Sequence, residues 1–153
     1  VLNRFVCAAD YSDAQIVVRI CADNPFIDPG EIDRLVAFYK NSGCDYACNH
    51  QDRLGSNYAD GFGAEILGTK LLDSIAQMTL EKRHREHVTL FLWDNSVEYR
   101  LEAVKAPAEL AFPAMRFDVD RPDDLLYLKN LVDLGVNISS SAEEIVEVAR
   151  KRH

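Results

Sequence analysis

The chain has 153 residues, of which 48% are hydrophobic, so it is long enough to bury a core, and no apolar stretch approaches the roughly 20 residues that span a membrane. The formal net charge of −8, with no basic tract longer than Arg150-Lys151-Arg152, argues against a nucleic-acid surface. The four cysteines form no Cys-x-x-Cys pair, which favours buried, reduced thiols over a disulfide or a zinc site. We therefore expect a single domain over residues 1–153, soluble and cytoplasmic, with 136–153 as an appended terminal helical segment.

The amino-terminal part predicts a helix, a strand, an acidic loop and a second helix. Apolar residues at helical spacing predict a helix over 1–10, and the β-branched run 15–20 predicts a strand that is covered on both faces. Asp28-Pro29-Gly30-Glu31 is a helix start, with Asp28 as cap and Glu31 completing a capping box, and the helix is predicted to end near Gly43. Ligands of open α/β sheets lie beyond the carboxyl ends of strands, where this chain places Asp23.

The remaining elements follow from the same two periodicities. A long polar, glycine-rich loop over 50–63 is uncommon unless it has a function. Strands are predicted at 45–49, 64–67, 97–103 and 115–120, and helices after Thr69, over 83–93, from Pro122 and over 142–150.

Two aspartates on the strand predicted at 115–120 are candidate metal ligands. Asp118 and Asp120 are two residues apart, so their carboxylates would leave the same face of a strand. If that strand lies beside the one at 15–20, Asp120 and Asp23 can share one hard cation, and Mg²⁺ suits one or two carboxylates plus substrate phosphates. The alternatives are that Asp120 caps the helix opening at Pro122 and that Asp23 is an ordinary loop residue.

Two histidines offer a weaker metal hypothesis. His84 and His87 are three residues apart, but no third ligand is close in sequence and no glutamate stands between them as in zinc proteases. The competing interpretations are a structural histidine and a polar helix end at which His87 touches substrate. No G-x-S-x-G, G-x-x-x-x-G-K or G-x-G-x-x-G motif is present to favour a serine hydrolase or a nucleotide-binding loop of those types.

Five motifs in order resemble those of a known enzyme family. They are Val17-Val18-Arg19-Ile20-Cys21-Ala22-Asp23-Asn24-Pro25-Phe26-Ile27-Asp28-Pro29, Asp45-Tyr46-Ala47-Cys48-Asn49, Asp60-Gly61-Phe62-Gly63-Ala64-Glu65, Arg85-Glu86-His87-Val88-Thr89 and Val119-Asp120-Arg121-Pro122-Asp123-Asp124-Leu125. Together they resemble the cytidylyltransferases of the spore-coat polysaccharide and CMP-Kdo or CMP-sialate synthetase type, over nearly the whole chain to about Val132.

The resemblance implies a three-layer, Rossmann-like (GT-A-type) α/β fold with a mostly parallel sheet flanked by helices. It also implies transfer of CMP from CTP to an acidic or amino sugar with release of pyrophosphate, for surface or spore-coat polysaccharide biosynthesis. In the family, aspartates at the positions of Asp23 and Asp120 hold Mg²⁺, with Arg121 here replacing the usual threonine. The implied substrate-binding residues are Arg19, Asn49, Tyr58, Gly61, Phe62, Glu65 and His87.

One departure from the family pattern concerns the opening of the chain. Family members begin with a strand and an L-x-A-R-x-x-S-x-R-L-P-x-K loop that grips the triphosphate, and this sequence shows neither. We therefore expect a carboxyl-terminal portion without the usual first strands, doubtful activity on its own, and an open sheet edge that pairs in a homodimer or with a complementing amino-terminal half. The alternatives are a metal-dependent glycosyltransferase, in which Asp118-Val119-Asp120 would mimic an Asp-x-Asp motif, and a noncatalytic interaction module.

Overall fold

Four strands form one mixed sheet in the computed structural model, which describes residues 1–50 and 52–151. The strands are β1 (Ile16–Arg19), β2 (Tyr46–Cys48), β3 (Glu65–Gly68) and β4 (Leu101–Ala103). Their order is β1-β3-β2-β4, and β3 runs antiparallel to both of its neighbours, whereas β2 and β4 are parallel. The expected α/β class is confirmed, but the expectation of a mostly parallel sheet is wrong in detail, because β3 inserts in the opposite direction between β1 and β2.

Helices cover both faces of the sheet, as the three-layer prediction requires. They are α1 (Leu2–Tyr11), α2 (Pro29–Ser42), α3 (Thr69–Met78), α4 (Lys82–Glu86), α5 (Leu90–Asp94), α6 (Pro122–Asp133) and α7 (Ala142–Arg150). Side chains alternate along β2, so Tyr46 and Cys48 enter a core with α1, α3 and α5, whereas Ala47 enters the core with α2, α6 and α7. Ile66 and Leu67 of β3 divide between the two cores in the same way.

Helix α2 begins where the sequence predicts, with a different set of capping bonds. One Asp28 carboxylate oxygen accepts from Gly30 N at 2.7 Å, and the other accepts from Ala142 N, the first residue of α7, at 2.7 Å. Glu31 does not complete the expected capping box, because its carboxylate is turned inward and accepts a 2.5 Å hydrogen bond from the Tyr58 hydroxyl. Gly43 ends the helix at φ 66°, a left-handed conformation that suits glycine.

Two elements predicted in the middle of the chain are shorter than expected. The single helix expected over 83–93 is two short helices, because the chain turns at 87–89 between α4 and α5. The strand expected over 97–103 is reduced to β4, and Val97 is fully in solvent. Thr69 is the first residue of α3 and donates to Gln15 O instead of capping the helix.

The segment 115–120 is not a strand. It forms one isolated bridge, between Asp60 and Arg116, and its backbone N–H groups bond to loops: Phe117 N donates to Asp60 O and Val119 N to Asp23 O. The expectation of a regular strand with two aspartates on one face is therefore wrong. The segment nevertheless reaches the loop that carries Asp23.

Cysteine burial is uneven. All four cysteines are free, as expected, but only Cys44 and Cys48 are buried, while Cys21 is half-buried and Cys7 is exposed on α1. Within the described ranges, no helix has the length and apolar character needed to cross a bilayer.

Candidate active site

The loop after β1 and the segment before α6 are joined by a backbone hydrogen bond. Val119 N donates to Asp23 O at 2.9 Å, which holds the two loops together although they are far apart in sequence. The side chains of Asp23 and Asp120 are both exposed, and both line the same cavity. The two residues predicted as metal ligands are thus brought together.

This acidic cavity has a volume of about 430 Å³ and receives five carboxylates. They belong to Asp23, Asp52, Asp60, Asp118 and Asp120. Arg116 is the arginine in its lining, and the guanidinium contacts Asp118, with one contact of 3.0 Å, and Asp120 at 2.8 Å. An acidic surface of this kind attracts cations and needs one before it can hold an anionic substrate.

Burial and neighbouring charges change the ionisation of Asp60. Burial raises the pKa of the Asp60 carboxyl to about 6, the negative charge of Asp118 adds to the shift, and Arg116 opposes it. The carboxylates of this cavity are therefore close enough to influence one another.

Asp120 does not cap α6. The cap is the carboxylate of Asp124, which accepts from Asp120 N at 3.0 Å and from Arg121 N at 2.7 Å. The side chain of Asp120 faces the cavity instead, so the competing interpretation of Asp120 as a helix cap is wrong.

The oxygen donors of Asp23 and Asp120 fit a magnesium ion. Mg²⁺ commonly takes one or two protein carboxylates and fills its octahedral shell with water and phosphate oxygens. In the described part of the chain, no three His, Cys, Asp or Glu side chains are arranged to enclose an ion by themselves. The fit is therefore to an ion shared with a substrate and not to a closed structural metal centre.

A second cavity of about 430 Å³ adjoins the first, and both are lined by Cys21 and His50. Its polar lining comprises Arg19, His50, Arg53, Glu65, His87 and Thr89, with Trp93 as its aromatic wall. Arg53 stacks on the Trp93 ring at 4.5 Å from the ring centroid. Three of the predicted substrate-binding residues, Arg19, Glu65 and His87, thus meet in one place.

Glu65 is the hydrogen-bonding centre of this second cavity. It is buried and accepts from the Tyr46 hydroxyl at 2.6 Å and from the Thr89 hydroxyl at 2.8 Å, and it forms an ion pair with Arg19. Burial lowers the pKa of the neighbouring His50 to about 4, so the His50 ring is neutral near pH 7. Burial alone would raise the pKa of Glu65. The neighbouring His50, the Arg19 charge and the two hydroxyl donors outweigh burial and keep the pKa of Glu65 below its usual range. The ion pair holds Arg19 beside this carboxylate.

The other predicted substrate-binding residues, Asn49, Tyr58, Gly61 and Phe62, line neither of the two cavities. Asn49 is fully buried, donates from Nδ2 to Glu31 O at 2.7 Å and accepts at Oδ1 from Ala64 N at 3.0 Å. Tyr58 is also fully buried, and burial and the Glu31 carboxylate raise the pKa of its hydroxyl. These contacts make Asn49 and Tyr58 supports of the loop over 50–63, and their contact with substrate stays a prediction.

Gly61 and Phe62 pack against the segment that carries Asp118 and Asp120. A side chain at Gly61, whose φ is 110°, would lie 2.9 Å from the Phe117 carbonyl carbon, and the Phe62 and Phe117 rings are 4.7 Å apart. Glycine is required here because the two backbones approach closely. This packing holds the acidic segment in place.

The histidine pair does not form a metal site. His84 is buried, with Nδ1 2.9 Å from the Thr79 hydroxyl and Nε2 2.8 Å from Asp94, so both ring nitrogens have structural partners. His87 follows the end of α4 and lines the second cavity. The zinc hypothesis is therefore wrong, and the structural role applies to His84.

Several lining residues are not among the site residues that the sequence predicts. They are Cys21, His50, Asp52, Arg53, Asp60, Thr89, Trp93 and Arg116. The polar composition of the loop over 50–63 was a signal for some of them, but no spacing rule connects Trp93 or Arg116 with β1.

Comparison with known proteins places the chain in a family. Residues 1–152 match the family model described as cytidylyltransferase, and the chain belongs to the cytidylyltransferase family. It is similar to a solved structure of a cytidylyltransferase from Leptospira borgpetersenii serovar Hardjo-bovis (strain JB197), with a TM-score of 0.85 and 25% identity over 99% of this chain and 62% of that one. The Rossmann-like nucleotidyltransferase fold expected from the motifs is confirmed.

Two curated relatives are similar over most of this chain. The spore coat polysaccharide biosynthesis protein SpsF of Bacillus subtilis (strain 168) is 28% identical over 153 residues, which cover 99% of this chain and 61% of the relative. An uncharacterised protein of Methanocaldococcus jannaschii is 28% identical over 130 residues, which cover 84% of this chain and 51% of the relative. The chain thus spans between half and two thirds of the length of the curated relatives it matches.

Proposed function

We propose that this chain takes part in transfer of CMP from CTP to a sugar. In that reaction a sugar hydroxyl loses its proton to solvent and forms a bond to the α-phosphorus of CTP, the bond to the bridging oxygen breaks, and pyrophosphate leaves with that electron pair. The observation that carries the proposal is the pair of adjoining cavities that share Cys21 and His50, one rich in carboxylates and the other lined by Arg19, Glu65 and His87.

Asp23 and Asp120 are the residues proposed to hold Mg²⁺. When bound, the ion would neutralise the charge that develops on phosphate oxygens, which is the main requirement of phosphoryl-type transfer. The backbone bond from Val119 N to Asp23 O supports the role of the two carboxylates, because it fixes their loops side by side. Pre-organised ligands lower the reorganisation needed when the nucleotide enters.

The second cavity is the proposed sugar site. Arg19, held by Glu65, and the exposed His87 supply donors for hydroxyl or carboxylate groups, and the Trp93 ring supplies an apolar wall. Asn49, Tyr58, Gly61 and Phe62 are proposed to act on substrate through the loop they support. An acidic or amino sugar is the proposed acceptor, and surface polysaccharide synthesis in the cytoplasm is the proposed setting, supported by the similarity to SpsF.

We also propose that the sheet edge at β1 pairs with a further strand. In the described residues β1 is the terminal strand of the order β1-β3-β2-β4, and such an edge presents backbone groups to a partner. A second copy of the chain and a complementing amino-terminal half are the proposed partners.

The test is product analysis with CTP labelled at the α-phosphate, Mg²⁺ and a panel of acidic and amino sugars. The proposal predicts a labelled CMP-sugar and one pyrophosphate per product, lost in Asp23→Asn and Asp120→Asn and kept in Asp123→Asn, a matched change at the exposed Asp123 of α6. Release of free nucleoside diphosphate from a nucleotide sugar would instead indicate a glycosyltransferase. Absence of CMP-sugar with every acceptor, both from the folded chain alone and from the folded chain together with a complementing amino-terminal half, would contradict the proposal.

A further inference from the structure

Arg116 joins three carboxylates of the acidic cavity. Its guanidinium makes a bidentate contact with Asp118, with Nε 3.0 Å from Oδ1, and Nη2 also lies 2.8 Å from Asp120 Oδ2. Its Nε is 3.8 Å from Asp60 Oδ2. A planar guanidinium with five N–H donors can serve several carboxylates in this way.

The three contacts are unequal. The Asp118 side chain is only 7% exposed, whereas that of Asp120 is 55% exposed. The bidentate pair with the buried Asp118 is therefore the anchor, and the single bond to Asp120 is the contact that solvent and ions can replace.

Hydrogen bonds hold the backbone at Arg116 and Phe117 in place. Arg116 forms the isolated bridge with Asp60, and Phe117 N donates to Asp60 O at 3.0 Å. The guanidinium can therefore change its contact with Asp120 by a small rotation of the side chain, while Asp118 and the backbone keep it in the cavity.

We propose that Arg116 is a built-in counter-cation of Asp120 that competes with the divalent ion and so sets the ion concentration at which the site fills. The inference rests on the proposed function in that Asp120 is taken as an ion ligand. The reason is electrostatic: the guanidinium occupies an Asp120 oxygen that the ion needs, and its positive charge repels the incoming cation. Arg116 is a positioning residue in this account, since it acts through Asp120.

The test measures binding of Mn²⁺, as a spectroscopic substitute for Mg²⁺, to the chain without nucleotide. Electron paramagnetic resonance reports free Mn²⁺ during titration at low ionic strength. Arg116→Gln removes the competitor, and Arg121→Gln is the matched control, because it removes the same charge from an exposed residue next to Asp120. Asp120→Asn, alone and combined with Arg116→Gln, identifies the carboxylate.

The expected result is a Mn²⁺ affinity about five- to tenfold higher in Arg116→Gln, a much smaller change in Arg121→Gln, and no gain when Asp120→Asn is also present. If Arg116→Gln does not fold, Arg116→Lys should bind Mn²⁺ with an affinity above the wild type, because an ammonium cannot keep the fork geometry. An affinity equal to or below the wild type in the folded variant, or an equal gain in Arg121→Gln, overturns the inference. If Arg116→Gln raises the Mn²⁺ affinity through Asp120 but the chain has no cytidylyltransferase activity, the proposed function is refuted and this inference stands.

Discussion

Replacing Asn49 by alanine should destabilise the chain. The Asn49 amide is fully buried and joins α2 to the start of β3 through bonds of 2.7 Å to Glu31 O and 3.0 Å from Ala64 N. Glu31 O lies inside a helix and has a helical partner as well, so the main loss is the Ala64 N–H, which would be left buried without an acceptor. An unsatisfied buried group costs about 1–3 kcal/mol, and the space left by the amide adds to this, so we expect a loss of about 2–4 kcal/mol.

Urea unfolding followed by circular dichroism measures this loss, and for a chain of this size it corresponds to a fall in Tm of roughly 10 °C. Asn41→Ala is the matched control, because Asn41 makes a 2.8 Å bond to Ala37 O in an exposed position on α2. That control should change stability by less than about 0.5 kcal/mol. If Asn49→Ala were as stable as Asn41→Ala but bound CTP or sugar more weakly, Asn49 would be a substrate contact and the structural reasoning would be refuted.

Three further predictions concern ionisation, thiol reactivity and packing. Burial raises the pKa of Asp60 in the folded chain to about 6. The stability that protonation of Asp60 contributes is therefore fully present below the unfolded-state pKa near 4 and is lost as the pH rises through about 6. Asp60→Asn should therefore raise stability near pH 7 by about 1–2 kcal/mol, after allowance for partial exposure, and should leave stability near pH 4 unchanged; equal effects at both pH values would contradict this. A thiol reagent should label the exposed Cys7 rapidly and Cys48 only on unfolding, because burial raises the pKa of Cys48 to about 11. Early labelling of Cys48 would instead show that the core around it opens. Gly63→Ala should cost about 2–3 kcal/mol in a urea titration, because the new Cβ would lie 2.2 Å from Asn49 O, and an unchanged midpoint would show that this backbone can move apart.

Local rules predicted most elements of the chain. Asp28 before Pro29 marked the start of α2, and Gly43 marked its end. These signals depend on neighbours within one helical turn, so sequence alone is enough to read them.

Strand direction and the irregular segment before α6 depend on distant contacts. β3 runs antiparallel to both β1 and β2, and its own residues carry no sign of that direction. The 115–120 segment alternates like a strand, but its N–H groups bond to Asp60 O and Asp23 O in loops. Periodicity shows which residues are buried and does not show which partners take their hydrogen bonds.

The same limit applies to the site. Asp23 was predicted from its place beyond the end of a strand and Asp120 from its place on a strand that the structure does not form, and the family resemblance implied both as magnesium ligands. The two residues do line one cavity. Arg116 was missed because its role comes from contacts with Asp118 and Asp120 in an irregular loop, which no spacing rule describes. For Asn49 the sequence named an important position, and the fold adds that its amide is occupied by backbone groups.

The most direct test of the central claim is the thermal midpoint of the chain with CTP and Mg²⁺, added separately and together. A ligand that binds only the native state raises the midpoint by mass action. The account predicts a rise that needs both ligands, is lost in Asp120→Asn and is kept in Asp123→Asn. The absence of any shift with both ligands, or an equal shift in Asp120→Asn, would contradict the assignment of a nucleotide and metal site to this cavity.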